Sequence, residues 1–210
     1  MTLDSELTGV SGMPDDGEPT DPDSTDAVTQ PAKKRKMNPL LEWLIVVAVA
    51  ITSALLVRAY VVQQFAVEGE SMLSTLENGD RVLVNRLSYR LHDPRRGDVV
   101  VLKRFDAARE ERDLIKRVIG LPGEQVEVRS CAVFIDGRQL IEPYIDAAIQ
   151  ARDGCGDAYP KTVVPDGSVF VLGDHRGRSS DSRLFGPIAD DLLIGRAFVI
   201  IWPVSDWAWL

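Results

Sequence analysis

One apolar run sets the architecture of this 210-residue chain. Trp43 to Val57, WLIVVAVAITSALLV, is apolar apart from Thr52 and Ser53, whose hydroxyls can bond back to their own helix. Leu40 and Leu41 precede it, and Ala59-Tyr60-Val61-Val62 follow Arg58. The stretch is about 20 residues long, enough to cross a bilayer as a helix. Trp43 and Tyr60 stand near its ends, where aromatic rings favour the headgroup zone, and Arg58 can snorkel outward. A buried helix of a soluble domain would show a polar face, and this run shows none. A cleaved signal peptide would lie nearer the terminus with a shorter apolar core. Residues 38–62 are therefore expected to form an uncleaved transmembrane anchor.

The flanks give a direction. Residues 1–30 carry Asp4, Glu6, Asp15, Asp16, Glu18, Asp21, Asp23 and Asp26 but no Lys or Arg. Their Pro, Ser, Thr and Gly content and lack of apolar periodicity predict a disordered acidic tail. The cluster Lys33-Lys34-Arg35-Lys36 closes the 1–37 segment, and positive charge stays cytoplasmic. The N-terminus is expected inside and residues 63–210 outside. A net charge of −8 argues against a general nucleic-acid binder.

Beyond the anchor the pattern turns to β. Short β-branched runs occur at Arg81 to Asn85, Asp98 to Leu102, Leu114 to Ile119, Gln125 to Val128, Val133 to Ile135, Val169 to Leu172 and Ala197 to Trp202. Gly and Pro punctuate them, and Asp136-Gly137 reads as a hairpin turn. There is no βαβ alternation, so the domain is expected to be all-β with long connections. The C-terminal Phe198 to Pro203 and Trp207-Ala208-Trp209-Leu210 are strongly apolar. They read equally as core strand and as a segment dipping into the lipid interface. Cys131 and Cys155 are the only cysteines, both placed outside. A disulfide is expected over two free thiols, because the segment Glu142 to Asp157 is a poor core former. It would close a loop of about 25 residues and contribute roughly 3 kcal/mol by loop entropy.

Two residues carry candidate chemistry. Ser71 follows Val67-Glu68-Gly69-Glu70, where Gly69 permits an unusual backbone angle and backbone N–H groups can gather as an oxyanion hole. A serine hydroxyl needs a base. His92 and His175 are the only histidines, but a desolvated lysine serves equally, and Lys116 lies in the apolar run Leu114 to Ile119. On these residues alone Ser71 is an ordinary turn serine, and Lys116 is the plain lysine of an edge strand.

The blocks together say more. Arg96-Gly97-Asp98-Val99-Val100-Val101, Lys116-Arg117-Val118-Ile119-Gly120-Leu121-Pro122-Gly123-Glu124 and Gly173-Asp174-His175-Arg176-Gly177-Arg178-Ser179-Ser180-Asp181-Ser182-Arg183 follow one another just outside the anchor. With Phe185-Gly186-Pro187 and Ile194-Gly195-Arg196-Ala197, they closely resemble the successive blocks of bacterial type I signal peptidases. The resemblance spans about Val62 to Pro203. It implies a mainly β fold: a β-rich catalytic domain with a small insert at about 130–161, preceded by one transmembrane helix. It implies a membrane-bound serine endopeptidase that removes signal peptides from exported preproteins at the outer membrane face, without cofactor or metal. By matching position, Ser71 is the nucleophile and Lys116 the general base. Ser179 orients the lysine, Asp181 and Arg183 support the site, and Val67, Met72 and Ile115 flank the pocket for the small residue before the cut. The implied partners are preprotein signal peptides and membrane lipid, for a monomer near the secretion translocon. The chain departs from the family pattern at Ser74, usually proline, at Gly69, where some members place a serine, and at His175 and Gly177. His175 is read as loop architecture rather than a third catalytic member. The competing readings are a catalytically inactive tethered β module and another Ser/Lys self-processing protease. A sortase-like transpeptidase would need a reactive cysteine.

Overall fold

The computed structural model describes residues 38–105 and 111–210. The acidic tail and the Lys33–Lys36 cluster lie outside the described residues. Of the unit Met1–Glu42 only the start of the first helix is described, and the unit Trp43–Leu210 holds the remaining elements.

Helix α1 spans Pro39–Tyr60. Asn38 caps it, its side-chain oxygen accepting the Leu40 N–H at 3.3 Å, and Pro39 fills a first-turn position that lacks a partner for an N–H anyway. Its apolar side chains are exposed, as expected of a helix with no protein face to bury. Among the described residues it is the one helix long and apolar enough to cross a membrane.

Among the described residues, twelve strands follow. They are β1 (Val62–Ala66), β2 (Arg81–Asn85), β3 (Val99–Phe105), β4 (Glu111–Gly120), β5 (Gln125–Arg129) and β6 (Ala132–Ile135). After them come β7 (Arg138–Gln139), β8 (Tyr159–Val163), β9 (Ser168–Leu172), β10 (Ile188–Ala189), β11 (Leu193–Trp202) and β12 (Ala208–Trp209). Short helices α2 (Ser88–Leu91), α3 (Ala147–Asp153) and α4 (Ser182–Phe185) lie in the connections. The fold is mainly β, as the resemblance implied.

The large sheet runs β1-β2-β11-β3-β4-β9-β10, with β12 added on β11, and its ladders are antiparallel. A smaller sheet runs β7-β6-β5-β8. It reaches from Gln125 to Val163, a few residues wider than the expected insert. Asp136 and Gly137, both at positive φ, turn β6 into β7 as that dipeptide predicts.

Alternation along β3 shows how the large sheet is buried. Val99 and Val101 join one apolar core, with Val67, Met72, Leu76, Val82 and Val84. Val100 and Leu102 join another, with Val118, Val169 and Val171. Both faces are covered. Strand β4 pairs with β3 on one side and β9 on the other, so the edge-strand reading of Lys116 is overturned. Lys116 and Arg117 are both buried. They are 2% and 8% exposed, because β4 is inside the sheet and covered on both faces.

Ala197, Val199 and Ile200 of the C-terminal run are core, whereas Trp202, Trp207 and Trp209 stay more than half exposed. The core-strand reading holds for the buried strand, and the tail beyond it is exposed.

Candidate active site

Ser71 comes from the turn between β1 and β2, and Lys116 from the middle of β4. The structure brings them to 2.7 Å, Ser71 Oγ to Lys116 Nζ. The amine also donates to the Ile115 carbonyl at 2.8 Å. No carboxylate among the described residues bonds to it. Burial pushes its pKa down from 10.5 to about 8, although Asp181 and Asp174 oppose the shift from a distance. A lysine in this state is about one-tenth neutral at pH 7, far more than an unperturbed lysine, and its neutral form can accept a proton.

The turn carrying Ser71 is held by its own backbone. Leu73 N–H donates to Glu70 O, and Thr75 and Leu76 N–H to Met72 O. Gly69 sits at φ +89° with its N–H donating to Asn78 Oδ1, a conformation that favours glycine. Ser74 is at φ +83°, which a proline fixed near −65° cannot adopt. The family's usual proline is therefore excluded here by the backbone. The Ser71 N–H has no acceptor among the described residues.

The turn after β9 closes the site from the other side. Gly173 has no room for a side chain, since a Cβ there would lie 2.2 Å from Ser179 Oγ and 2.4 Å from Ser71 O. Ser179 Oγ is buried beside it without a hydrogen-bond partner among the described residues. Asp181 and Arg183 form a two-pronged pair, 2.8 Å at each prong. Asp181 also accepts the Gly173 N–H at 3.1 Å, and Arg183 Nη1 donates to Cys155 O at 2.6 Å. Val67 and Met72 are core residues at 5% and 1% exposure, with Ile115 half-buried against them. Of the three, only Ile115 keeps substantial open surface. Cys131 and Cys155 are bonded, with Cα atoms 5.0 Å apart.

Several residues around the site were not singled out in the sequence. Arg117 grips Asp174 with Nε at 2.9 Å and Nη2 at 2.7 Å, donates to Gly97 O, and lies 4.0 Å over the Tyr144 ring. Thr75 Oγ1 donates to the same carboxylate at 2.5 Å. Arg176, 3% exposed, ties the turn to Glu142 of the insert. A cation beside Lys116 in an apolar run signals that a buried partner is needed, but not which of the 32 acids supplies it. A separate cleft of about 700 Å³, lined by Ser53, Val57, Arg58, Val62 and Leu83, contains neither Ser71 nor Lys116.

Residues 40–202 match the family described as signal peptidase, peptidase S26. The chain belongs to that family. It is 36% identical over 179 residues to signal peptidase IB of Staphylococcus aureus, covering 80% of this chain and 92% of that one. It is 37% identical over 201 residues to signal peptidase I of Leptolyngbya laminosa, covering 93% and 95%. A crystal structure of a signal peptidase I from Enterococcus faecalis aligns at TM-score 0.41 and 33% identity, over 50% of this chain and 97% of that one. Membership makes the chain a hydrolase of the serine endopeptidase kind, and the sequence resemblance pointed to the same family.

Proposed function

We propose that this chain removes N-terminal signal peptides from preproteins, using Ser71 as nucleophile and Lys116 as general base. The observation that carries the reading is the 2.7 Å contact between Ser71 Oγ and a lysine with no carboxylate bonded to it. The neutral amine takes the Ser71 proton as Oγ attacks the scissile carbonyl. The unpartnered Ser71 N–H is the proposed donor to the oxyanion that forms. The resulting ammonium then protonates the leaving amine, and a water activated by the same lysine releases the acyl group from Ser71. Ser179 Oγ, buried and unpartnered, is the proposed hydroxyl that steadies the amine. Asp181 and Arg183 hold the turn that carries it. Ile115 is the proposed apolar contact for the small residue before the cut, backed by the buried Val67 and Met72.

Exposed apolar helix α1 supports a single membrane crossing, and the Lys33–Lys36 cluster supports a cytoplasmic N-terminus with residues 63–210 outside. The exposed Trp202, Trp207 and Trp209 are consistent with work at the lipid surface. One chain supplies both Ser71 and Lys116, so the proposed unit is a monomer, acting where preproteins leave the secretion translocon. The test is incubation of the purified chain with a preprotein carrying an Ala-x-Ala site, with the product's new N-terminus sequenced. Cleavage after the second Ala is expected, and an intact preprotein would refute the reading. Protease added outside spheroplasts should digest the β domain and spare the tail. The reverse pattern would invert the topology.

A further inference from the structure

Two of the departures from the family pattern, His175 and Gly177, meet the same piece of the insert. We infer that His175 is a positioning residue that clamps the Ser71 backbone to the end of α3, and that the Cys131–Cys155 bridge holds the clamp shut. The inference rests on the Ser71/Lys116 reading and adds the insert as a determinant of its geometry.

His175 is 1% exposed and touches three parts of the chain. Its backbone N–H donates to Ser71 O at 3.0 Å. Its ring Nδ1 lies 3.1 Å from Glu70 O, and its Nε2 lies 2.9 Å from Asp153 Oδ2. A carbonyl and a carboxylate are acceptors only, so a ring nitrogen that carries a proton donates to the one it faces. Asp153 is ionised: the Arg152 hydrogen bond, first among its influences, holds its carboxyl down to about 2. Arg178 adds to this from 3.6 Å, while its other contact is the Glu70 carboxylate at 3.0 Å. The charged groups around the ring are thus Asp153, Arg152, Arg178 and Glu70. The ring makes no hydrogen bond to Ser71 Oγ or Lys116 Nζ, so it takes no part in the proton transfer itself.

The backbone fit is independent of those bonds. A Cβ on Gly177 would fall 2.2 Å from Asp153 O and 2.8 Å from Gly154 O. A Cβ on Gly156 would fall 2.4 Å from Arg176 O. Glycines on both sides therefore let residues 153–156 lie directly on the turn after β9. Cys155 sits within that segment, with its carbonyl on Arg183 and its sulfur on Cys131. Helix α3 has no buried residue of its own. The bridge, the Arg183 bond and the His175 bond are thus its principal ties to the site.

The experiment uses the full chain in detergent, a preprotein substrate, and the variants His175→Ala, Asp153→Ala, their double and Gly177→Ala. Each single variant should lose roughly tenfold in kcat with KM little changed, the pattern of a misplaced nucleophile. The double should be no worse than either single. A thiol reductant should lower wild-type kcat by a similar factor and leave the double variant unchanged. Amide hydrogen exchange over residues 70–73, read without substrate, should speed up in every variant. Additive losses, a loss confined to KM, or wild-type kcat in a folded His175→Ala would overturn the clamp while leaving the dyad standing. Unchanged exchange in folded variants would overturn it even if no cleavage were seen.

Discussion

Lys116 and Arg117 are consecutive, both buried, and held in opposite ways. Arg117 is given a carboxylate in two-pronged contact, a hydroxyl, a carbonyl and an aromatic face. Lys116 is given one hydroxyl and one carbonyl, with its carboxylates kept at a distance. The first arrangement fixes a permanent charge and welds β4 to the turn after β9. The second withholds the ion pair that would keep an amine protonated. One strand thus sets a structural cation beside the proposed proton acceptor, and the difference lies in the partners each meets.

The largest effects should come from the Lys116 side. Ser71→Ala and Lys116→Ala should each lower kcat on the order of 10⁶-fold, since either loss disables the same step. Lys116→Arg should fail as badly, because a guanidinium keeps its proton near neutrality. All three should retain the wild-type fold by circular dichroism. Measurable turnover in any of them, on a purified preprotein, would erase the distinction between the two cations.

On the Arg117 side the loss should be one of stability. Asp174→Ala leaves a buried guanidinium without its counter-charge and should destabilise the fold by roughly 3–5 kcal/mol in a urea titration. A milder loss would mean that water reaches Arg117.

Lys116→Met should do the opposite. The amine's pKa falls from 10.5 unfolded to about 8 folded, so the native state binds fewer protons between those values. Stability therefore rises with pH from 8 toward 10.5, and the penalty is full below 8. The shift amounts to about 3 kcal/mol. The Met variant should exceed the wild type by up to that amount at pH 7, with the advantage fading above pH 8. An equal stability at pH 7 would show that the site is wetter than the structure implies.

Ser179→Ala should have the smallest effect. Its hydroxyl has no hydrogen-bond partner, so its removal should change stability by less than about 1 kcal/mol. kcat should nonetheless fall more than KM rises, as for a group that steadies the base. An unchanged kcat would remove Ser179 from the site.

Much of this was legible in the residues. The β-branched runs located β2, β3, β4, β5, β6, β9 and β11, because strands covered on both faces need side chains that pack in both directions. The two-residue strands β7, β10 and β12 are too short to leave a pattern. Strand β1 escaped because its first valine reads as the end of the anchor and its two glutamines break the alternation. Helix α3 has no buried face to impose periodicity, although Asp146, accepting from Ala148 and Ile149 N–H, marked its start. Ser71 and Lys116 were legible through the order of the blocks rather than through either residue. The pairs Arg117–Asp174 and His175–Asp153 join residues 57 and 22 positions apart, and nothing local in a chain announces such contacts.

The pH dependence of kcat/KM tests the central claim most directly, since it reports the protonation of the free enzyme. With Lys116 as the base, the rate constant should rise through a pKa of about 8 and level off above it, with the fold intact throughout. A plateau already reached by pH 6, below even the histidine reference of about 6.5, would contradict a lysine base at this site.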